Sequence, residues 1–237
     1  WCRQLASKPT DTPEQSSSAG LMLDYYNKRL AEYEAIYAKP ERQTDLKKLV
    51  THLQAEVKHC SVLELACGTG WWTERLAPHA VAWTATDADL GALEVVRHKN
   101  IQGLNETHTL NAYQPEVSAP VDCVFAAHWY SHLLHDECDA FLNAVSTCLQ
   151  PGGRLIMLDN NYVIGSSTPI SRTDAHGNTY QARPLQDGST HEVLKNFPSQ
   201  AELKQSGMAH RFNVETDTDL QLQIQHYWYA AMRNTRM

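Results

Sequence analysis

The stretch Ser61-Val62-Leu63-Glu64-Leu65-Ala66-Cys67-Gly68-Thr69-Gly70 constrains this chain most. Its first half, Ser61 to Ala66, is a short apolar run of the kind that forms a buried strand. Its second half is a Gly-x-Gly turn, and residues 71–77 read as a short helix. A strand that turns through glycines into a helix N-terminus lets a ligand approach the main chain and meet free amides. Glu64 lies near the strand end, and a second acid, Asp87, ends the next apolar run, residues 81–86. A plain strand–turn–helix corner accounts for the glycines but not for two acids at strand ends.

The elements around this stretch alternate. Residues 1–20, rich in Ser, Thr, Pro and Gln, read as a flexible arm. An amphipathic helix is expected over residues 21–38, with Leu23, Tyr26, Leu30, Tyr33 and Tyr37 at helical spacing. Thr44 or Asp45 should cap a second helix whose face carries Leu46, Leu49, Val50, Leu53 and Val57. After the two opening strands come a helix (89–100), a strand (107–110), a strand (121–127), a helix (136–149) stopped by Pro151-Gly152-Gly153, and a strand (154–159). This alternation predicts an α/β fold with a doubly wound, mostly parallel sheet. Ligands of such sheets sit outside the carboxyl ends of the strands. Residues 160–197 are too long for a simple connection. Asp187-Gly188 between two strand-length segments predicts a tight hairpin there, a small antiparallel flap with Pro184 on an edge. Ser199-x-x-Glu202 is a capping box for a further helix, with Gly207 as its stop. Strands over 210–215 and 220–230 complete a seven-stranded sheet. One domain, residues 21–237, is expected, with a helical cover (21–58) and the flap (160–197).

The 237 residues are 42% hydrophobic and carry a net charge of −7 with no Lys/Arg run, which argues against a nucleic-acid partner. No apolar run reaches membrane-spanning length. Six cysteines without a CxxC pair read as small buried hydrophobes in a reduced, cytoplasmic protein. The chain starts at Trp1 rather than Met, as expected of one that is trimmed or follows a removed segment.

The pattern Glu64-x-x-Cys67-Gly68-x-Gly70 with Asp87 resembles the cofactor signature of class I S-adenosylmethionine-dependent methyltransferases of the small-molecule type. The resemblance runs from about Ser61 to Asp159. It implies a Rossmann-like methyltransferase fold and S-adenosyl-L-methionine as cofactor, with S-adenosyl-L-homocysteine as product. A nicotinamide site is the nearest competitor, but that fingerprint wants a glycine where Thr73 stands. By the resemblance, Ala66, Cys67, Gly68, Thr69, Gly70 and Trp72 lie against the cofactor, and Glu64 holds its ammonium group. Asp87, with Ala88 beside it, accepts the ribose hydroxyls. Asn111, Ala112 and Tyr113 flank the adenine, where an acid is commoner than Asn111, and His128 is a neighbour by position. The two N-terminal helices resemble the cover that such enzymes place over the active site, which brings Tyr26 toward a substrate.

His128 and His132 straddle the end of the fourth strand, with His135 beyond. No glutamate follows His128, so the zinc-protease pattern is missing and no metal is expected. Methyl transfer needs alignment, exclusion of water and, for a hydroxyl acceptor, removal of a proton. Histidine suits that role, and His132, on the turn, is favoured over His128. The same histidines also read as packed core residues. Trp129, Asn160, Asn161 and Tyr162 are further substrate-side candidates; turn formation explains the asparagines equally. The expected activity is methyl transfer to a small molecule, at a hydroxyl or carboxylate oxygen. The alternatives are N-methylation of a small amine, cofactor binding without catalysis, or a nicotinamide oxidoreductase. A homodimer is compatible with this reading.

Overall fold

The computed structural model describes residues 25, 26, 28–216 and 218–236. The expected arm and the first four residues of the expected first helix lie outside them. The segment Leu30–Tyr37 is a 3₁₀ helix, followed by a short 3₁₀ turn at Pro40–Arg42 and α1 (Gln43–Glu56). Then come β1 (Ser61–Leu65), α2 (Trp71–Leu76), β2 (Ala82–Asp87), α3 (Leu90–His98), β3 (Leu104–Thr109) and β4 (Val121–Ala127). They are followed by α4 (Cys138–Cys148), β5 (Leu149–Asn160), β6 (Arg172–Thr173), β7 (Thr179–Pro184) and β8 (Thr190–Leu194). The chain ends with α5 (Gln200–Ala209), β9 (Phe212–Val214), α6 (Thr218–Gln223) and β10 (Tyr227–Asn234).

The main sheet has seven strands in the order β3-β2-β1-β4-β5-β10-β9. β1, β2, β3, β4 and β5 run parallel, and β10 pairs antiparallel with both β5 and β9. The expected Rossmann-like methyltransferase architecture is therefore present. Its central strands are apolar on both faces because helices cover both. On one face Val62, Phe125, Ile156 and Tyr229 pack with Leu49 and Leu53 of α1, Leu76 of α2 and Leu93 of α3. On the other, Leu63, Leu65, Val124 and Met157 pack with Leu142 and Val145 of α4 and Leu203 of α5.

The inserted segment forms a separate antiparallel sheet, β6-β7-β8. Asp187-Gly188 turns β7 into β8, with Asp187 accepting from the Ser189 N–H. Leu185 and Val193 of this flap pack on Tyr25.

Several local expectations are corrected. Asp45 does not cap α1. The helix begins at Gln43, and the Asp45 carboxylate turns away to accept the N–H groups of Gln225 and His226. Gly207 does not stop α5. It lies within the helix, where a Cβ would stand 2.8 Å from Met232 Sδ, so it admits the close approach of β10. Residues 220–224, Leu-Gln-Leu-Gln-Ile, alternate like a strand. Leu220 and Ile224, four apart, are both buried, and the segment starts as the helix α6, which delays β10 to Tyr227. The Ser199–Glu202 capping box is present in both its hydrogen bonds.

Candidate active site

Two cavities open beyond the carboxyl ends of the parallel strands. The first, of about 290 Å³, is bounded by the turn after β1, by Asp87 and Ala88 after β2, and by Asn111, Ala112 and Tyr113 after β3. The second, of about 220 Å³, lies under the flap and against the N-terminal segment. Tyr26, Tyr33, His128 and His132 line both, so the cavities share a wall.

In the first cavity, Asp87 is fixed by main-chain donors. Its Oδ2 accepts from the Gly68 N–H at 2.8 Å and its Oδ1 from the Asp89 N–H at 2.9 Å. Burial raises its pKa, against those hydrogen bonds. Each carboxylate oxygen keeps a further lone pair for a ligand donor. Gly68 and Ala66, which also line the cavity, have positive φ values of 54° and 51°. Asn111 Oδ1 accepts from the Tyr113 N–H, an Asx turn that sets the end of this wall. Trp129 stands edge-on to Tyr113, with ring centroids 4.8 Å apart.

Other expected contacts fall elsewhere. Glu64 alternates with Leu63 and Leu65, so the pleat sends its side chain toward the α1–α3 layer. There its Oε2 accepts from Thr73 Oγ1 at 2.6 Å and Trp83 Nε1 at 2.7 Å. Burial lifts its pKa to about 7, against those two bonds. Glu64 lines neither cavity. Trp72 is a core residue, edge-on to Phe125. Thr69 Oγ1 donates to Glu34, and the Cys67 N–H bonds the Thr86 carbonyl. These residues and Gly70 shape the turn without lining the cavity.

The second cavity is lined by cations. Arg29, Lys39, Arg42 and Arg183 surround it, and among the described residues none of the four is in an ion pair. Arg29 donates to the Tyr25 hydroxyl, Lys39 to the Ser166 carbonyl, Arg42 to Asn160 Oδ1 and Arg183 to Gln181 Oε1. Glu32 is the acid in the lining. At its inner end, Lys195 reaches from beyond β8 to Asp159 at 2.5 Å and Ser131 at 2.6 Å. Burial pulls the Lys195 ammonium down to about 8, partly offset by Asp159. Burial works against ionisation of Asp159 too, but Lys195 and His128 hold it well below the usual carboxylate range.

His132 has both ring nitrogens engaged: Nδ1 meets the Leu194 carbonyl at 2.6 Å and Nε2 the Tyr26 hydroxyl at 2.9 Å. The carbonyl only accepts, which places the proton on Nδ1, and the Tyr26 hydroxyl then donates to Nε2. Burial, with the positive charges of Lys195 and Arg183, keeps this ring neutral. His128 lies against Asp159, its Nδ1 3.3 Å from Oδ1. His135 is exposed, and its N–H bonds Asn178. Asn160 lines the second cavity, whereas Asn161 ties down the Gln225 and Tyr227 carbonyls and Tyr162 packs on Phe197, 41% exposed. The described residues contain no group of His, Cys, Asp and Glu arranged to hold a metal. No helix among them is long and apolar enough to cross a membrane.

The methyltransferase domain family matches residues 62–153. The chain is similar to DhpI solved with S-adenosylhomocysteine, at 27% identity over 91% of this chain and 97% of that one, with a TM-score of 0.73. It is similar to the DhpI–SAM–HEP complex at 26% identity over 94% and 100%, with a TM-score of 0.77. The Burkholderia thailandensis 1,6-didemethyltoxoflavin-N1-methyltransferase, 14% identical over 98% and 94% with a TM-score of 0.63, shares the fold. No protein of curated function matches in sequence. The domain match and the two DhpI structures support a class I S-adenosylmethionine-dependent methyltransferase.

Sequence reasoning missed Arg29, Lys39, Arg42, Arg183 and Lys195. They are scattered singly along the chain and form no run; the flap and the N-terminal segment bring them together.

Proposed function

We propose that this enzyme methylates an oxygen of a small anionic acceptor bound in the cavity under the flap. The observation that carries this is the cationic lining. Arg42 is buried and Arg29, Lys39 and Arg183 are half-buried, and among the described residues none of the four has a carboxylate partner, so a bound anion would offset charge that is otherwise partly desolvated and unpaired. An amine acceptor would add a further positive charge to the same space, which disfavours N-methylation. Similar proteins that act on small molecules support the size class.

The residues of the first cavity fit the cofactor. Asp87 offers two fixed acceptors to the ribose, Gly68 permits close approach of the main chain, and Asn111, Tyr113 and Trp129 make a wall for the adenine. Bound there, the cofactor supplies an electrophilic methyl group. The protein sets the acceptor in line across the shared wall, and the flap and tyrosines exclude water. Asp87→Ala should weaken S-adenosylhomocysteine binding by about 1–3 kcal/mol, since its charge-assisted hydrogen bonds are lost. Calorimetric affinity equal to that of the natural enzyme, with the fold intact, would refute the ribose assignment.

The acceptor reading is tested with Arg183→Met in a methyl-transfer assay across anionic, neutral and cationic acceptors. For anionic acceptors KM should rise about 10–100-fold, the worth of one charge-assisted contact, while kcat changes less. A preference for neutral or cationic acceptors, or no change in KM, refutes it.

A further inference from the structure

Of the described residues that line both cavities, His128 carries a buried nitrogen without a hydrogen-bond partner. His128 follows β4 at a φ of 58°, and its ring lies near those of Tyr37 and Tyr227, at centroid distances of 5.7 Å and 5.9 Å. Its Nδ1 is 3.3 Å from Asp159 Oδ1. Its Nε2 is buried and has no hydrogen-bond partner. The residue lines both cavities.

We infer that His128, oriented by Asp159, is the base that takes the proton from the acceptor, and hence that the reacting oxygen enters the site as O–H. This rests on the acceptor reading above and narrows it: the anionic group occupies the cationic lining, and a protonated oxygen faces His128.

The proton assignment follows from the surroundings. Lys195 Nζ, Ser131 Oγ and the Asn160 N–H all donate to the Asp159 carboxylate, so it is ionised and acts as an acceptor. The Asn160 side-chain amide, 3.4 Å from the same His128 nitrogen, gives its hydrogen to Asp159 Oδ1 at the shorter distance of 3.2 Å, so the His128 nitrogen facing the carboxylate carries the proton. That leaves a lone pair on Nε2. A buried acceptor without a donor is costly, and an incoming hydroxyl satisfies it. His132 cannot take this role as it stands, because its Nε2 already receives the Tyr26 hydroxyl. Asp159 is a positioning residue here, and His128 is the group that touches substrate.

The groups facing the ring act in opposite directions. Burial lowers its pKa below 6.5, Asp159 raises it, and Lys195 and Arg42 lower it again. The outcome is a neutral ring near neutral pH, the form that accepts a proton. In the transfer, a lone pair of the acceptor oxygen forms the new O–C bond. The C–S bond breaks with its electron pair going to sulfur, which loses its positive charge. The O–H electron pair stays on oxygen, and the proton moves to Nε2, where Asp159 stabilises the imidazolium. One positive charge is lost at sulfur and one gained at the ring. A carboxylate acceptor has no such proton to give.

The first measurement needs no acceptor. In ¹⁵N-histidine spectra of the protein saturated with S-adenosylhomocysteine at neutral pH, His128 should carry its proton on Nδ1 and none on Nε2. A protonated Nε2 overturns the proposal. The second uses His128→Asn, because asparagine tolerates a positive φ. With glycolate and glycerol phosphate as hydroxyl-bearing anions and propionate as a carboxylate, the variant should lose about 10²–10⁴ in kcat on whichever hydroxyl acceptor the natural enzyme turns over. S-adenosylhomocysteine affinity should stay within about threefold. The rising limb of the natural enzyme's pH–rate profile should vanish. Unchanged kcat in His128→Asn, or turnover confined to propionate, overturns the proposal. The acceptor reading fails separately, if none of the anions competes for the site and Arg183→Met changes nothing, whatever the tautomer of His128.

Discussion

Lys195→Met is expected to destabilise the fold by about 3–5 kcal/mol, the usual cost of removing one partner from a buried ion pair. Lys195 is 3% exposed and Asp159 is fully buried. Removing the ammonium leaves the carboxylate with Ser131, His128 and the Asn160 N–H, but without a full positive charge. The folded-state pKa of Asp159 is depressed, so its contribution to stability is present above the unfolded value near 3.8 and is lost as pH falls through the folded value. The variant loses much of that depression. Its deficit against the natural protein should therefore be greatest near neutral pH and shrink toward acid. Urea unfolding at several pH values reads both the size and the trend. A deficit below about 1 kcal/mol at neutral pH would mean that the pair is hydrated and worth no more than a surface pair. Replacing both partners, as in Lys195→Met with Asp159→Leu, should recover part of the loss, because no lone charge then remains buried. The double variant would still lack the orientation of His128 and so remain slow. That separates the stability of the cluster from its chemistry.

The same cluster marks the limit of what the chain discloses before folding. The central strands were legible because burial on both faces demands continuous apolar runs, and β4 occupies the expected residues 121–127. The strand-end acid Asp87 and the Asp187-Gly188 turn were legible because each is a local device. Glu64 was not, since its direction depends on the parity of the pleat and on which helix layer covers that face. A shift of one residue would have sent it to the other layer. Asp45 reads as a helix cap by composition, yet it serves a loop 180 residues away. The alternation at 220–224 matches a strand in one dimension and a helical face in three. The cationic lining had no local signature at all. Arg29, Arg42 and Arg183 converge only because the flap folds back over the N-terminal segment, a contact made by Tyr25 with Leu185 and Val193. The histidines lie between these cases. Their position was readable, but the choice between them turns on Leu194 and Asp159, which lie 62 and 31 residues away in sequence.

Gly70→Ala should cost about 2–5 kcal/mol of stability, and the reason is not the cofactor. Gly70 caps α2 with a φ of 80°, its N–H bonds the Cys67 carbonyl, and its own carbonyl accepts from the Glu74 N–H. A side chain in that left-handed conformation costs about 1–2 kcal/mol. A Cβ there would also stand 2.9 Å from Val96 Cγ2, and 3.4 Å from both Ile101 Cδ1 and Thr73 Oγ1. Val96 is fully buried in α3 and has no free direction to move, so overpacking adds about 1–3 kcal/mol. The strain would pass on through Thr73, whose hydroxyl donates to the buried Glu64 carboxylate. Gly68 makes the contrast. Its φ of 54° carries the same backbone cost, but a Cβ would meet Tyr33 at 3.3 Å on the cavity side. Gly68→Ala should therefore lose about 1–2 kcal/mol of stability and show its larger effect in S-adenosylhomocysteine affinity. Urea unfolding with an unchanged m-value, alongside calorimetry of both variants, distinguishes the two glycines. If Gly70→Ala loses under about 1 kcal/mol, the turn after β1 is looser than its contacts require, and the second glycine of the motif serves the ligand rather than the packing of α2 on α3.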